Sequence, residues 1–112
     1  MTRYSRIVLV AAALLVYSAC VVAQNGPLRS ARSALKEGNY KEALTHLSAA
    51  ERYTVPTQDQ KAEIISLRAR SYEGLKNTPE AIRLYHDLIT TFPDSSYASA
   101  AIERLKNLEP DK

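Results

Sequence analysis

The sequence predicts an all-α fold assembled from stacked helix pairs. Three observations carry that reading. From Pro27 onward, apolar residues recur at three- and four-residue spacing, as one face of a helix requires. No segment alternates with period two, so no strand is expected. Short clusters of Gly, Asn, Thr and Pro separate the periodic stretches. Composition agrees: Ala and Leu are plentiful, and only three Gly and no Trp occur.

The N-terminal residues read as a targeting segment and are set aside from the fold. Met1 to Arg6 carries two arginines and no acid, and Ile7 to Val16 is an unbroken apolar run. Small residues follow at Ser18 and Ala19. Three endings fit the leader (residues 1–23). Val16-Tyr17-Ser18-Ala19-Cys20 resembles the lipobox of bacterial lipoproteins, where Cys20 would be lipid-modified, although Tyr17 replaces the usual aliphatic residue. Val21-Val22-Ala23 is an acceptable site for ordinary signal peptidase, leaving a soluble chain from Gln24. Uncleaved, Ile7 to Ala23 gives about 17 mostly apolar residues, the lower limit for a membrane span. The lipoprotein ending is preferred because Cys20, the lone cysteine, falls where lipidation needs it. The expected location is exported and periplasm-facing, either lipid-anchored in the outer membrane or soluble.

After the linker Gln24-Asn25-Gly26, five helices are expected. The first runs from about Pro27 to Glu37, with Pro27 suited to the first helical position, and closes at Gly38-Asn39. The second runs from about Tyr40 to Tyr53 on an apolar stripe of Tyr40, Ala43, Leu44, Leu47 and Ala50. Pro56 stops it by disfavouring helical geometry at Val55. The third opens on Thr57 and Gln60 as a capping box. Ala62, Ile65, Ala69 and Tyr72 recur along it, with Ile64, Leu67 and Leu75 beside them, before the break from Gly74 to Asn77. The fourth begins with Thr78 as N-cap and Pro79 in the first position, continues through Ala81, Ile82, Tyr85, Leu88 and Ile89, and ends at Phe92-Pro93. The fifth takes Asp94 as N-cap and runs to about Asn107. The tail, residues 109–112, is expected to fray.

Charge and cysteine count exclude several classes. The formal net charge of +3 includes Arg3 and Arg6; without them 13 basic residues face 12 acidic ones. A nucleic-acid partner needs a clustered and much larger basic excess, so none is expected. One cysteine permits no internal disulfide and no cysteine-pair zinc site. No phosphate loop, nucleophile elbow or zinc helix motif occurs. His86-Asp87 and His46 flank their stripes and read as solvated helix faces. No enzyme activity, cofactor or metal is expected.

An internal repeat organises the helices. Gly38-Asn39-Tyr40-Lys41-Glu42-Ala43-Leu44 aligns with Lys76-Asn77-Thr78-Pro79-Glu80-Ala81-Ile82 at an offset of 38 residues. At the same offset Ala31 falls on Ala69, Ala34 on Tyr72, Leu47 on Tyr85 and Ala50 on Leu88. Ala69, Tyr72, Ala81, Tyr85 and Pro93 resemble the tetratricopeptide repeat (TPR). Ala31, Ala43, Leu47 and Ala50 supply a first copy, with Ala34 where the aromatic is usual. Phe92-Pro93-Asp94-Ser95-Ser96-Tyr97-Ala98 also resembles the repeat junction of envelope TPR proteins of the outer-membrane assembly lipoprotein type. The resemblance implies a TPR-like α-solenoid of two helix-turn-helix repeats plus a C-terminal capping helix over residues 27–108. Two repeats fall below the usual three, so either the cap suffices or the domain self-associates or leans on a partner.

The resemblance also implies a site. The first helix of each TPR pair lines the concave surface, and the position after the small residue points into it. Those positions are Arg32 and Arg70, with Glu73 near Arg70, and Leu28 and Leu35 near Arg32. Two guanidinium groups on one groove suit a carboxylate-bearing peptide or protein partner; the alternative is a pair of ordinary solvated arginines. The expected function is a non-enzymatic scaffold or adaptor of the cell envelope, or else a self-associating structural subunit of an envelope or secretion complex.

Overall fold

The computed structural model describes residues 26–110; the leader and Cys20 lie outside them, as do Asp111 and Lys112. Five helices, and no strand, occur among the described residues: α1 (26–36), α2 (Tyr40–Tyr53), α3 (Gln58–Gly74), α4 (Thr78–Thr91) and α5 (Ser96–Leu108). None of these helices is long and apolar enough to cross a membrane. Helices α2 to α5 each pack on their neighbours in sequence, α3 also meets α5, and α1 joins α2 and α3 in one core cluster. That order, with alternate helices touching, is the all-α helical-repeat architecture expected from the 38-residue offset.

The two interhelix turns inside the repeats are built alike. At the end of α1, Asn39 N–H donates to Ala34 O (2.8 Å) and Gly38 N–H to Leu35 O (3.1 Å), with Gly38 at φ 79°. At the end of α3, Asn77 N–H donates to Tyr72 O (2.9 Å) and Lys76 N–H to Glu73 O (3.0 Å), with Lys76 at φ 63°. Both are Schellman closures, which take up orphaned carbonyls by placing one residue in the left-handed region. Glycine enters that region freely; for a lysine it costs about 1–2 kcal/mol.

Two helix starts lie one residue from where the sequence pattern puts them. Asn77, not Thr78, is the N-cap of α4, and Pro79 lies in its first turn. The Schellman closure already orients Asn77, whose carbonyl accepts from Ala81 N–H (3.2 Å). Ser95, not Asp94, caps α5: its hydroxyl accepts from Tyr97 N–H (3.1 Å). Asp94 is consumed by a tight turn in which Ser95 N–H donates to Phe92 O (3.1 Å). The α3 cap is as expected: Thr57 Oγ1 accepts from Gln60 N–H, and Gln60 Oε1 accepts from Thr57 N–H (3.2 and 2.9 Å).

The core forms two clusters that meet across α3. One gathers Leu28, Ala31, Ala34, Leu35, Ala43, Leu47 and Ala50 around Ile64 and Leu67 of α3. The other packs Ala62 and Ala69 of α3 against Ala81, Leu84, Tyr85 and Leu88 of α4 and Ala101 and Leu105 of α5. Helix α3 is therefore buried on two faces, and even Glu63, Ser66 and Ser71 are buried. Ser71 Oγ meets its own need by donating to Leu67 O (2.8 Å).

Gly74, at the end of α3, carries the aromatic contact between the repeats. A Cβ there would stand 2.3 Å from the ring of Tyr40, the first residue of α2. Gly→Ala ordinarily stabilises a helix by about 0.5–1 kcal/mol. Here overpacking should reverse the sign, so Gly74→Ala is expected to lower stability in chemical denaturation by about 1 kcal/mol or more. Adding Tyr40→Ala should restore the helix gain within the double-mutant cycle; additive effects of the two changes would contradict the contact.

Candidate functional site

Helices α1, α3 and α5 run parallel and form one face. The register follows from two forked ion pairs. Arg32 of α1 donates through Nε and Nη2 to Glu63 near the start of α3, the latter bond 2.8 Å long. Arg104 of α5 donates through Nε (3.2 Å) and Nη2 to Glu73 near the end of α3. Paired N–H donors matching two carboxylate oxygens give this fork its directional strength. Each arginine is half exposed, so solvent screening holds the net worth of each pair to about 1 kcal/mol or less.

Glu73 also accepts from the hydroxyl of Tyr85, a fully buried residue of α4. Burial by itself would raise the Glu73 pKa. The hydrogen bonds from Arg104 and Tyr85, with the nearby charges of Arg104 and Arg70, outweigh it and hold the carboxyl below its ordinary 4.5. Tyr85 shifts the other way: burial first, then the Glu73 carboxylate, push its phenol well above its ordinary value. Tyr85 therefore stays a neutral donor, aimed from the second repeat's core into the polar face.

Arg70 differs from its repeat-mate Arg32. It makes no hydrogen bond or ion pair with any described residue and acts on Glu73 only through space. The repeat explains why. The position 38 residues after Glu63 is Ala101, so α5 presents a buried methyl where α3 presents a carboxylate. Arg70 is exposed at the wall of a cleft of about 630 Å³. The cleft is lined by Leu35, Tyr40, Glu73, Lys76, Arg104 and Leu108, among others. Three cationic side chains, Arg70, Lys76 and Arg104, thus line a cleft that holds one carboxylate, Glu73. One of them, Lys76, is the residue held in the left-handed turn.

The structure divides the predicted site residues. It brings Arg70 and Glu73 together, with Leu35 at the edge of the same cleft. It sets Arg32 apart, tied to Glu63. Leu28 is buried at 5% exposure in the first core cluster and is not on the groove. Leu35, at 9%, is mainly a core residue as well. The reason is the helical stripe: Leu28, Ala31 and Leu35 form the inward side of α1, and Arg32 lies beside it. Sequence reasoning missed Lys76 and Arg104. The alignment of Lys76 with Gly38 was a usable signal, since it sets a lysine where a turn glycine belongs. His46 and His86 lie off this face in carboxylate contacts, with Glu42 (3.4 Å) and Glu109 (3.1 Å). Among the described residues no group of three or more His, Cys, Asp or Glu could hold a metal ion.

Residues 67–95 match the family model described as a tetratricopeptide repeat. The matched stretch spans the second half of α3, all of α4 and the junction to α5. The match and the helical-repeat fold around it are TPR-like; repeats of this kind generally mediate protein–protein interactions. The chain matches no curated protein and no solved structure.

The Glu73 pairing has a pH signature. A carboxylate whose folded pKa is depressed contributes stability above its unfolded pKa, and loses it as pH falls through the folded value. Wild type should therefore lose more thermal stability than Glu73→Gln between pH 7 and about pH 3. Equal losses in thermal melts at the two pH values would show that the fork contributes nothing.

Proposed function

We propose that the chain is a non-catalytic interaction module of the bacterial cell envelope that holds an acidic segment of a partner protein against the α1–α3–α5 face. The observation that carries the reading is Arg70, a guanidinium with no hydrogen bond or ion pair among the described residues, beside Lys76 and Arg104 in one cleft. Arg104 is half satisfied by Glu73, while Arg70 and Lys76 keep their donors for an incoming carboxylate. A guanidinium fork next to an ammonium suits a carboxylate pair on an extended peptide. Tyr40 and Leu108, with Leu35 at the edge, add apolar lining beside the charges. The leader of residues 1–23 supports an exported location. The TPR match supports binding a protein rather than a small molecule.

Lys76 strengthens this reading. Backbone strain persists where something offsets it, and functional sites are where such outliers gather. Glycine would close the α3 turn at lower cost, yet a lysine stands there and its side chain lines the cleft.

The test is anisotropy of a labelled aspartate-rich peptide, with a lysine-rich peptide as control. Arg70→Glu should weaken binding about 10-fold or more, since a charged hydrogen bond is worth about 1.5–3 kcal/mol. Lys76→Gly should raise folding stability by about 0.5–1 kcal/mol and still weaken the peptide. Unchanged affinity in both variants, or equal affinity for the lysine-rich peptide, would contradict the assignment.

A further inference from the structure

The end of the solenoid opposite the cationic cleft carries an apolar projection. In the α2–α3 connection Val55 is 95% exposed and Tyr53 is 75% exposed, the two most exposed large hydrophobic residues of the described chain. The flanks of this tip are fastened. On one side Thr54 Oγ1 donates to Ala50 O, closing the last turn of α2. On the other, the Thr57–Gln60 capping box locks the start of α3. Pro56 between them narrows the backbone choices of Val55. The tip thus points its side chains outward from a fixed frame. The equivalent junction of the second repeat behaves differently, because Phe92 folds back onto the core.

Chain register sets this tip where residue 26 emerges. Arg32 lies beside Glu63 in parallel helices. Six residues back along each helix, about 9 Å at 1.5 Å per residue, are Gly26 and Thr57. Tyr53 to Pro56 precede Thr57 directly. A cleft of about 640 Å³ shares this end, between the start of α3 and the α4–α5 turn, where Ala62, Phe92 and Pro93 lie among the polar residues Asp59, Lys61 and Asp94. Gly26 lies only six positions after Cys20, and only three after Ala23, the last residue of the mostly apolar stretch that begins at Ile7. At about 3.6 Å per residue, the greatest reach of a chain that long is about 22 Å and 11 Å.

From this juxtaposition we infer that the Tyr53–Pro56 tip is a second membrane contact, seating Val55 and Tyr53 in the lipid interface of the bilayer to which the leader tethers the chain. This rests on the exported, membrane-attached reading of the leader. Two apolar side chains hold a bilayer weakly by themselves. A short tether raises their effective concentration to about the millimolar range, which turns a weak contact into a populated one. Tyrosine suits the headgroup level, with its ring in the apolar layer and its hydroxyl in water. Exposed Arg52 precedes Tyr53 and suits anionic headgroups. The consequence is orientation: helices α1, α3 and α5 stand on the membrane, and the Arg70 cleft faces away from it, open to a partner.

The chain has no tryptophan, so one introduced Trp reports alone. Val55→Trp, and Lys41→Trp at the opposite end, are prepared as full-length chains with the native N-terminus. Both are reconstituted in vesicles of phosphatidylethanolamine and phosphatidylglycerol, with folding checked by circular dichroism. The proposal expects both to float with the vesicles, with blue-shifted emission and quenching by bromine-labelled acyl chains for Val55→Trp alone. Flotation with no quenching at position 55, or equal quenching at both positions, overturns the membrane contact while leaving the tether intact. Failure to float removes the tether and the contact together. A blue shift at position 55 without vesicles would assign the tip to a protein contact and overturn the proposal.

Discussion

The structure depends on the close approach of helices at alanines that repeat every 38 residues. Ala31 and Ala69 on the first helices of the pairs, and Ala43 and Ala81 on the second, are all at 0% exposure. A methyl group is the largest side chain that such close helix contacts admit without overpacking. Larger residues fill the space between contacts: Leu47, Ile64, Tyr85 and Leu88 are the bulky side chains enclosed completely. Gly74 extends the rule to its limit, where even a methyl would collide with Tyr40. Stacking of this kind is what lets a domain of fewer than a hundred residues bury a continuous core.

The same stacking sets the chemistry of the α1–α3–α5 face. Helices locked in parallel register bring residues 31 apart in sequence into contact twice, as Arg32–Glu63 and as Glu73–Arg104. The two forks have opposite polarity, and between them lies Arg70, whose repeat-equivalent partner position holds an alanine. A repeat protein can acquire a binding group in this way without inserting a loop. One member of a structural ion pair is absent in the next repeat, and the remaining member becomes available to a ligand. Tyr85 ties this face to the core, since its hydroxyl reaches Glu73 from inside the second repeat.

Much of the fold was legible because it is written in local spacing. The helices, the capping box at Thr57 and the 38-residue offset need only neighbouring residues to be read. Helix starts slipped by one at Thr78 and Asp94, because backbone turns at Lys76 and Phe92–Ser95 decided which residue caps. The site was less legible. Arg70 and Glu73 followed from position within the repeat, but the partners of Arg32 and Glu73 lie 31 residues away and no periodicity names them. Leu28 looks like a groove residue in a linear reading, yet a helix presents it to the core, on the same stripe as Ala31; Leu35 is mainly buried on that stripe and reaches the cleft only at its edge. The two-sided burial of α3 was likewise hidden, since Ile64 and Leu67 read as neighbours of one stripe when they form a second.

The central claim is that the alanine-set register leaves Arg70, in a cationic cleft of the α1–α3–α5 face, without a hydrogen-bonding partner among the described residues. The most direct measurement is amide chemical-shift mapping of isotope-labelled protein titrated with an aspartate-rich peptide. Shifts concentrated at Arg70, Glu73, Lys76, Arg104 and Leu108 would bear the claim out. Shifts concentrated on the outer α2 and α4 surfaces, around Lys41 and Arg83, would contradict it.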